Sequence, residues 1–213
     1  MKPLLCYVTD RHALADSFSL TENIARAVLA GVDWIQIREK DLSARELLAL
    51  ARAAVKAAGS GATRIIINDR LDVALAAGAG GVHLAEASMT VAVVSAWRSG
   101  AIAENVGLKN FLIGASCHSV AAVRAAERDG ADYIIFGPVF ATPSKEQFGE
   151  PQGIKLLADA SKAVRIPVLA IGGIAETNAR ECFAAGAAGI AAIRMFSGAR
   201  NLAAVVERLR EAR

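Results

Sequence analysis

The chain has 213 residues, 54% of them hydrophobic and 5% aromatic, and its 24 Lys and Arg against 21 Asp and Glu leave a net charge of +3. Such a composition supports a full-sized buried core and excludes a disordered or fibrous protein. The charge balance lacks the basic field that nucleic-acid affinity needs, and the few aromatics offer little for single-stranded bases to stack on, so a small acidic molecule is the better-fitting ligand.

The first apolar run, LLCYVT near residue 5, leads into a polar loop and then Ser19, three residues ahead of Glu22 at capping-box spacing. WIQIRE near residue 36 is the second strand, and Ser43 with Glu46 repeats the helix-start spacing behind it. RIIIN near 66, GVHLA near 83 and FLIGAS near 113 follow, with Ser119 placed to cap a helix running toward Glu127. YIIFG near 135, PVLAIGG near 169 and GIAAIRM near 192 bring the count to eight, about 27 residues per strand–helix unit in 213 residues. LAGVDWIQI, AAGAGGVHL, RDGADYIIF and AAGAAGIAA each put a Gly where a helix stops just ahead of a strand, an internal echo of one unit. The first strand is followed by TDRHALADS and not by G-x-G-x-x-G, which argues against a dinucleotide-binding open sheet. The pattern therefore predicts an α/β fold, a single (β/α)8 TIM barrel over residues 1–213, with function at the C-terminal ends of its strands.

Cys6, Cys117 and Cys182 are odd in number and widely spaced, which predicts reduced thiols in a cytoplasm and neither a disulfide framework nor a paired-Cys zinc site. The longest apolar run, Cys182 to Ile193, is too short to cross a bilayer, and the N-terminus forms no signal-peptide apolar stretch. No membrane partner is expected.

Several polar strand ends need a reason. Period-two alternation puts Gln36, Arg38 and Lys40 on one face of the second strand, a row able to grip a pyrophosphate; the alternative is a salt bridge from Arg38 to Asp10 or Asp69 closing the barrel mouth. Asn68 and Asp69 emerge above the third strand, where Asp69 could meet a hard cation such as Mg2+ or cap the next helix. Gly172 and Gly173, with Arg194 after the last strand, suit one phosphate, although a glycine pair also makes a tight turn. Ser116 and His118 stand two residues apart, which allows a shared face, with His118 as a proton-transfer group, a Ser partner or a packing residue. Cys117 has the opposite parity and reads as a packing thiol, and His83 reads as structural.

Together these strand ends resemble a known family. YVTD (7–10), IQIREK (35–40), IIIND (65–69), AAGAGGVHL (76–84), IGASCHS (113–119), ADYIIFGPVFATPSK (131–145) and PVLAIGGI (167–174) stand in the order and spacing of the thiamine phosphate synthases and the related thiazole tautomerases. The resemblance covers residues 4–200. It implies a barrel that joins hydroxymethylpyrimidine diphosphate to a thiazole phosphate, releasing pyrophosphate, with Mg2+ as cofactor on the leaving group. By the same resemblance Gln36, Arg38, Lys40 and Asn68 would hold the diphosphate, Asp69 would bind Mg2+, and Ser116 would contact the pyrimidine or the leaving group. Lys145 would neutralise departing charge, Thr142 and Ser144 would line the thiazole phosphate side, and Gly173 with Ile193 would cradle that phosphate. Partners would be phosphorylated small molecules, and self-association would be in keeping with the family.

Two segments depart from the synthase pattern. After VHL that pattern reads Gly-Gln-Glu-Asp, its last residue a second metal ligand; here Ala85-Glu86-Ala87-Ser88 leaves only Glu86 and Ser88 to take its place. Where the family has a small Ser at the end of the last strand stands Arg194, which can bind phosphate or fill the pocket. The tautomerase branch also lacks the carboxylate pair and uses a His in the segment that here supplies His118. The sequence thus predicts a thiamine phosphate synthase-like transferase, with a metal-independent tautomerase or a non-catalytic thiazole or thiamine phosphate binder as alternatives.

Overall fold

The computed structural model describes residues 2–14, 18–100, 108–142 and 150–213. Eight parallel strands close into a barrel in chain order: β1 (Leu4–Val8), β2 (Trp34–Ile37), β3 (Arg64–Asn68), β4 (Gly81–Leu84), β5 (Leu112–Cys117), β6 (Tyr133–Phe136), β7 (Val168–Ile171) and β8 (Gly189–Ala192). β8 pairs with β1, Leu5 beside Ile190, so no sheet edge is left open. Outside lie α1 (Leu20–Leu29), α2 (Ala44–Ala58), α3 (Leu71–Ala77), α4 (Val91–Arg98), α5 (Val120–Arg128), α6 (Gly153–Ala163) and α7 (Ala179–Ala184), then a short α8 (Arg194–Ser197) and α9 (Leu202–Glu211). The predicted barrel is the observed one.

Local chemistry sets the helix starts. Ser19 and Ser43 each accept a hydrogen bond from the amide three residues on, while Glu22 and Glu46 accept from the cap amides at 2.7 and 2.9 Å. Ser119 accepts from Ala122 N at 3.1 Å to open α5. α3 differs from expectation: Arg70 occupies its cap position without a side-chain bond, so Asp69 does not cap it.

Strand alternation sorts the core into two layers. Ile35, Ile37, Ile65, Ile67, Ile113 and Ile134 face the helices, and Cys117 lies among them as its parity predicted. Cys6, Val8, Ile66, Tyr133, Ile135, Leu169 and Ala191 fill the barrel interior. Tyr133 needs a slot there, and Gly114 on the neighbouring strand provides it: a Cβ at Gly114 would fall 2.0 Å from the ring. Trp34 packs against the same ring at a 49° tilt with centroids 4.6 Å apart, plugging the lower barrel.

Candidate active site at the C-terminal barrel end

Inside the barrel, Gln36 Nε2 donates to Asn68 Oδ1 at 2.9 Å across β2 and β3, while Gln36 Oε1 is buried with no partner among the described residues. β2 ends at Ile37, so the expected row of Gln36, Arg38 and Lys40 does not continue as strand. The chain is turned by Thr9, which accepts from Arg38 N at 2.9 Å and donates to the buried Glu39 carboxylate at 2.7 Å. Arg11 adds its amide and guanidinium to Glu39 and pairs with Asp41, which holds the Asp41 carboxyl well below the usual carboxylate range. Neither salt bridge foreseen for Arg38 forms: Asp10 accepts from His12 N instead, and Arg38 has no ion pair with a described residue. Its positive charge bears on His83.

Asp69 has φ 66°, a left-handed backbone that Asp tolerates better than most residues, held by its N–H donating to His83 O at 2.8 Å. With Glu39, Lys40, Asn68 and Arg70 it lines a cavity of about 300 Å³ beside α2, and its carboxylate accepts no hydrogen bond from the described residues. Ser88 and Glu86 lie outside that lining. Ser88 Oγ accepts from Ala85 N at 2.8 Å, so this hydroxyl closes its own turn. Glu86 is exposed, and its charge bears on the Cys117 thiol, which burial pushes up to about 11. No group of three His, Cys, Asp or Glu among the described residues is arranged to hold a metal.

Ser116 does find a histidine, but not His118. His83 Nε2 lies 2.9 Å from Ser116 Oγ, and His83 Nδ1 lies 3.1 Å from the Tyr133 hydroxyl. Burial lowers the His83 pKa to about 3, with Arg38 pushing the same way, so the ring is neutral at physiological pH. His118 lies beyond the end of β5, is exposed, and donates from Nδ1 to Gly137 O. His83 thus touches a candidate site residue, a contact that sequence reading missed. The signal was parity: Gly81 and His83, Gly114 and Ser116, and Tyr133 all take the inward alternation of neighbouring strands.

Gly172 and Gly173 both have positive φ, 95° and 64°, and a Cβ on either would press within 2.7 Å of Pro138 or of Phe140 and Ala141. The pair brings the loops after β6 and β7 into backbone contact, which only glycine permits. Asn178 ties the turn, donating to Gly173 O and accepting from Ala175 N, both at 2.9 Å. Ile193 accepts from Phe196 N and Ser197 N to start α8, and exposed Arg194 lines a second cavity of about 400 Å³ with Ile174, Glu176 and Gly198. Thr142 is half-buried at the end of the described loop after β6, whereas Ser144 and Lys145 fall outside the described residues.

Comparison with known proteins agrees with this architecture. A family model described as thiamine monophosphate synthase matches residues 5–196. A protein of Geobacter sulfurreducens is 49% identical over 89% of this chain and 84% of its own length. The thiamine-phosphate synthase of Methanocella arvoryzae is 38% identical over 96% of this chain and 95% of its own. Thiamine phosphate pyrophosphorylase from Pyrococcus furiosus superposes with a TM-score of 0.83 at 33% identity, covering 98% of this chain and 94% of that structure. The chain belongs to the thiamine monophosphate synthase family.

Proposed function

We propose that this protein is a thiamine phosphate synthase: a transferase that joins hydroxymethylpyrimidine diphosphate to thiazole phosphate and releases pyrophosphate. The observation that carries the reading is the Asp69 carboxylate, which accepts no hydrogen bond from a described residue, sharing a cavity with Lys40 and Asn68, while Arg38, adjacent in sequence to the lining Glu39, has no ion pair with a described residue. A site for a singly charged or neutral substrate has little use for that combination.

Breaking the C–O bond to the diphosphate leaves positive charge on the pyrimidine methylene and a polyanion opposite, while the thiazole nitrogen forms the new C–N bond. Fixed cations and donors aimed at the polyanion lower that barrier, and no covalent enzyme nucleophile is needed. Arg38, Lys40 and Asn68 take the diphosphate in this reading, Gln36 offers its orphaned carbonyl to a donor on the substrate, and Ser116 faces the leaving group. Lys145 is assigned departing charge, and Thr142, Ser144, Gly172, Gly173, Ile193 and Arg194 are assigned the thiazole phosphate. Mg2+ habitually binds through one or two carboxylates plus substrate phosphates and water, so Asp69 alone fits it, and the ion would offset charge on the leaving oxygens. The buried free thiols suit a reducing cytoplasm, and no described helix is long and apolar enough to cross a membrane. Self-association of the barrel belongs to the same proposal.

One observation favours a second reading, the metal-independent tautomerase. His118 donates from Nδ1 to Gly137 O, which leaves its Nε2 to exchange a proton with a substrate. Incubating purified protein with both substrates, with Mg2+ or with EDTA, tests the first reading. Metal-dependent thiamine phosphate is the expected outcome. Folded protein that binds thiazole phosphate but yields no product would move the assignment to the tautomerase or to a non-catalytic binder.

A further inference from the structure

The contact between His83 and Ser116 is one link of a longer chain. Tyr133 Oη, His83 Nδ1, His83 Nε2 and Ser116 Oγ form an unbroken line from the barrel plug to the barrel mouth, with steps of 3.1 and 2.9 Å on either side of the ring. Tyr133 and His83 are fully enclosed, at 0% and 1% exposure, while Ser116 at the end of the line is half-buried.

Two proton arrangements can fill such a line. In one, His83 donates from Nδ1 to Tyr133 and accepts the Ser116 hydroxyl proton at Nε2. The Tyr133 O–H then has no acceptor among the described residues, in a barrel core lined by Cys6, Val8, Ile66 and Ile135. In the other, Tyr133 donates to Nδ1, Nε2–H donates to Ser116 Oγ, and every enclosed donor is used. A buried donor left unpaired is costly, so the second arrangement prevails. Its consequence lies at the open end. Ser116 already accepts from the imidazole, so its own O–H turns to the barrel mouth, where Arg38 brings a positive charge.

We propose that Tyr133 and His83 are positioning residues that lock the Ser116 hydroxyl as a hydrogen-bond donor toward an anionic phosphate oxygen of the leaving group. The proposal rests on the diphosphate-transfer reading above and goes beyond it in naming the two residues that set the direction of the Ser116 proton. Gly114 belongs to the same device, because any side chain there would displace the Tyr133 ring. Neither positioning residue needs to touch substrate.

Two measurements test it. The imidazole 15N spectrum of the wild-type protein reads the tautomer directly and needs no variant to fold; protonated Nε2 with bare Nδ1 is expected, and protonated Nδ1 overturns the proposal. Kinetics read the coupling. Ser116→Ala is expected to lower kcat about a hundredfold or more, the scale of losing one donor to developing charge. Tyr133→Phe is expected to lower kcat several-fold with KM for thiazole phosphate unchanged, and to add nothing further in the Ser116→Ala background. His83→Gln, whose side-chain amide can still donate to Ser116, should retain more kcat than His83→Leu. Losses of Tyr133→Phe and Ser116→Ala that multiply would overturn the relay even with the expected tautomer. Wild-type protein that forms no thiamine phosphate sinks the parent reading instead, and the spectrum still decides the proton's position.

Discussion

Gln36 and Asn68 join side chains inside the barrel at 2.9 Å, and the bond that satisfies Asn68 leaves Gln36 Oε1 buried without a partner among the described residues. A buried carbonyl in that state is held at a cost to the fold. Gln36→Leu keeps the volume and removes the orphan, while half-exposed Asn68 can turn to water. The variant is expected to gain about 1 kcal/mol, which raises Tm by about 2–4 °C in a chain of this size, and to lose at least about tenfold in kcat/KM. Thermal unfolding beside steady-state kinetics checks both halves, and a variant that is more stable and equally active would remove Gln36 from the site.

Asp69 allows a test that separates charge from backbone. Its φ of 66° would strain an Ala, but Asn tolerates the left-handed region as well as Asp does. Asp69→Asn should therefore leave Tm within about 1 °C, since its carboxylate bonds to no described residue, and should abolish the response of turnover to added Mg2+. Titrating Mg2+ against activity for both proteins is the measurement; an unchanged Mg2+ dependence would place the metal elsewhere.

What could be read from the sequence was what the chain encodes locally. Capping boxes at Ser19 and Ser43, glycine stops before strands and the outward parity of Cys117 each depend on residues close in sequence, and each is present in the fold. The candidate site depended on contacts that spacing does not carry. The expected row of Gln36, Arg38 and Lys40 does not continue as strand, because β2 ends at Ile37 and Thr9 and Arg11, about 30 positions earlier, bind the Glu39 carboxylate. Ser116 pairs with His83, 33 positions away, and not with His118 two residues on, because β5 ends at Cys117 while the register of β4 and β5 sets His83 beside Gly114. Ser88 looks like a poor replacement for a metal ligand until its hydroxyl is seen to close the turn at Ala85.

His83 also makes stability depend on pH. The native ring takes a proton only near pH 3, whereas an unfolded His titrates near 6.5, so the unfolded chain binds the extra proton in between. Stability from this group is complete above about pH 6.5 and is lost as pH falls through that window, by about 2 kcal/mol between pH 7 and pH 5. Urea unfolding at the two pH values should show that loss in the wild type and a clearly smaller one in His83→Gln. Equal losses would mean that another group carries the acid sensitivity.

Arg194 stands free of described ion pairs at the edge of the second cavity. If it adds charge to thiazole phosphate binding without entering the chemical step, its loss removes binding that is equal in ground and transition states. Arg194→Ser is then expected to raise KM for thiazole phosphate about tenfold, roughly one charge-assisted hydrogen bond, with kcat unchanged. A fall in KM would show instead that the guanidinium fills the pocket.

Gly173 separates the shape of the phosphate loop from its charge. With φ 64° and a Cβ position 2.6 Å from Ala141 O and 2.7 Å from Phe140 Cβ, an Ala there meets both a strained left-handed backbone and an occupied space. The neighbouring atoms are backbone and the root of a side chain, so they cannot swing away, and the loops after β6 and β7 must part. Gly173→Ala should lose about 1–3 kcal/mol of stability, the usual range for overpacking a close contact. Because Asn178 ties that turn through Gly173 O and Ala175 N, the displacement should reach the backbone that the proposed cradle uses. Binding of thiazole phosphate, followed by calorimetry at a temperature where the variant is folded, should weaken more in Gly173→Ala than in Arg194→Ser. The reverse order would mean that the guanidinium, and not the glycine turn, holds the phosphate.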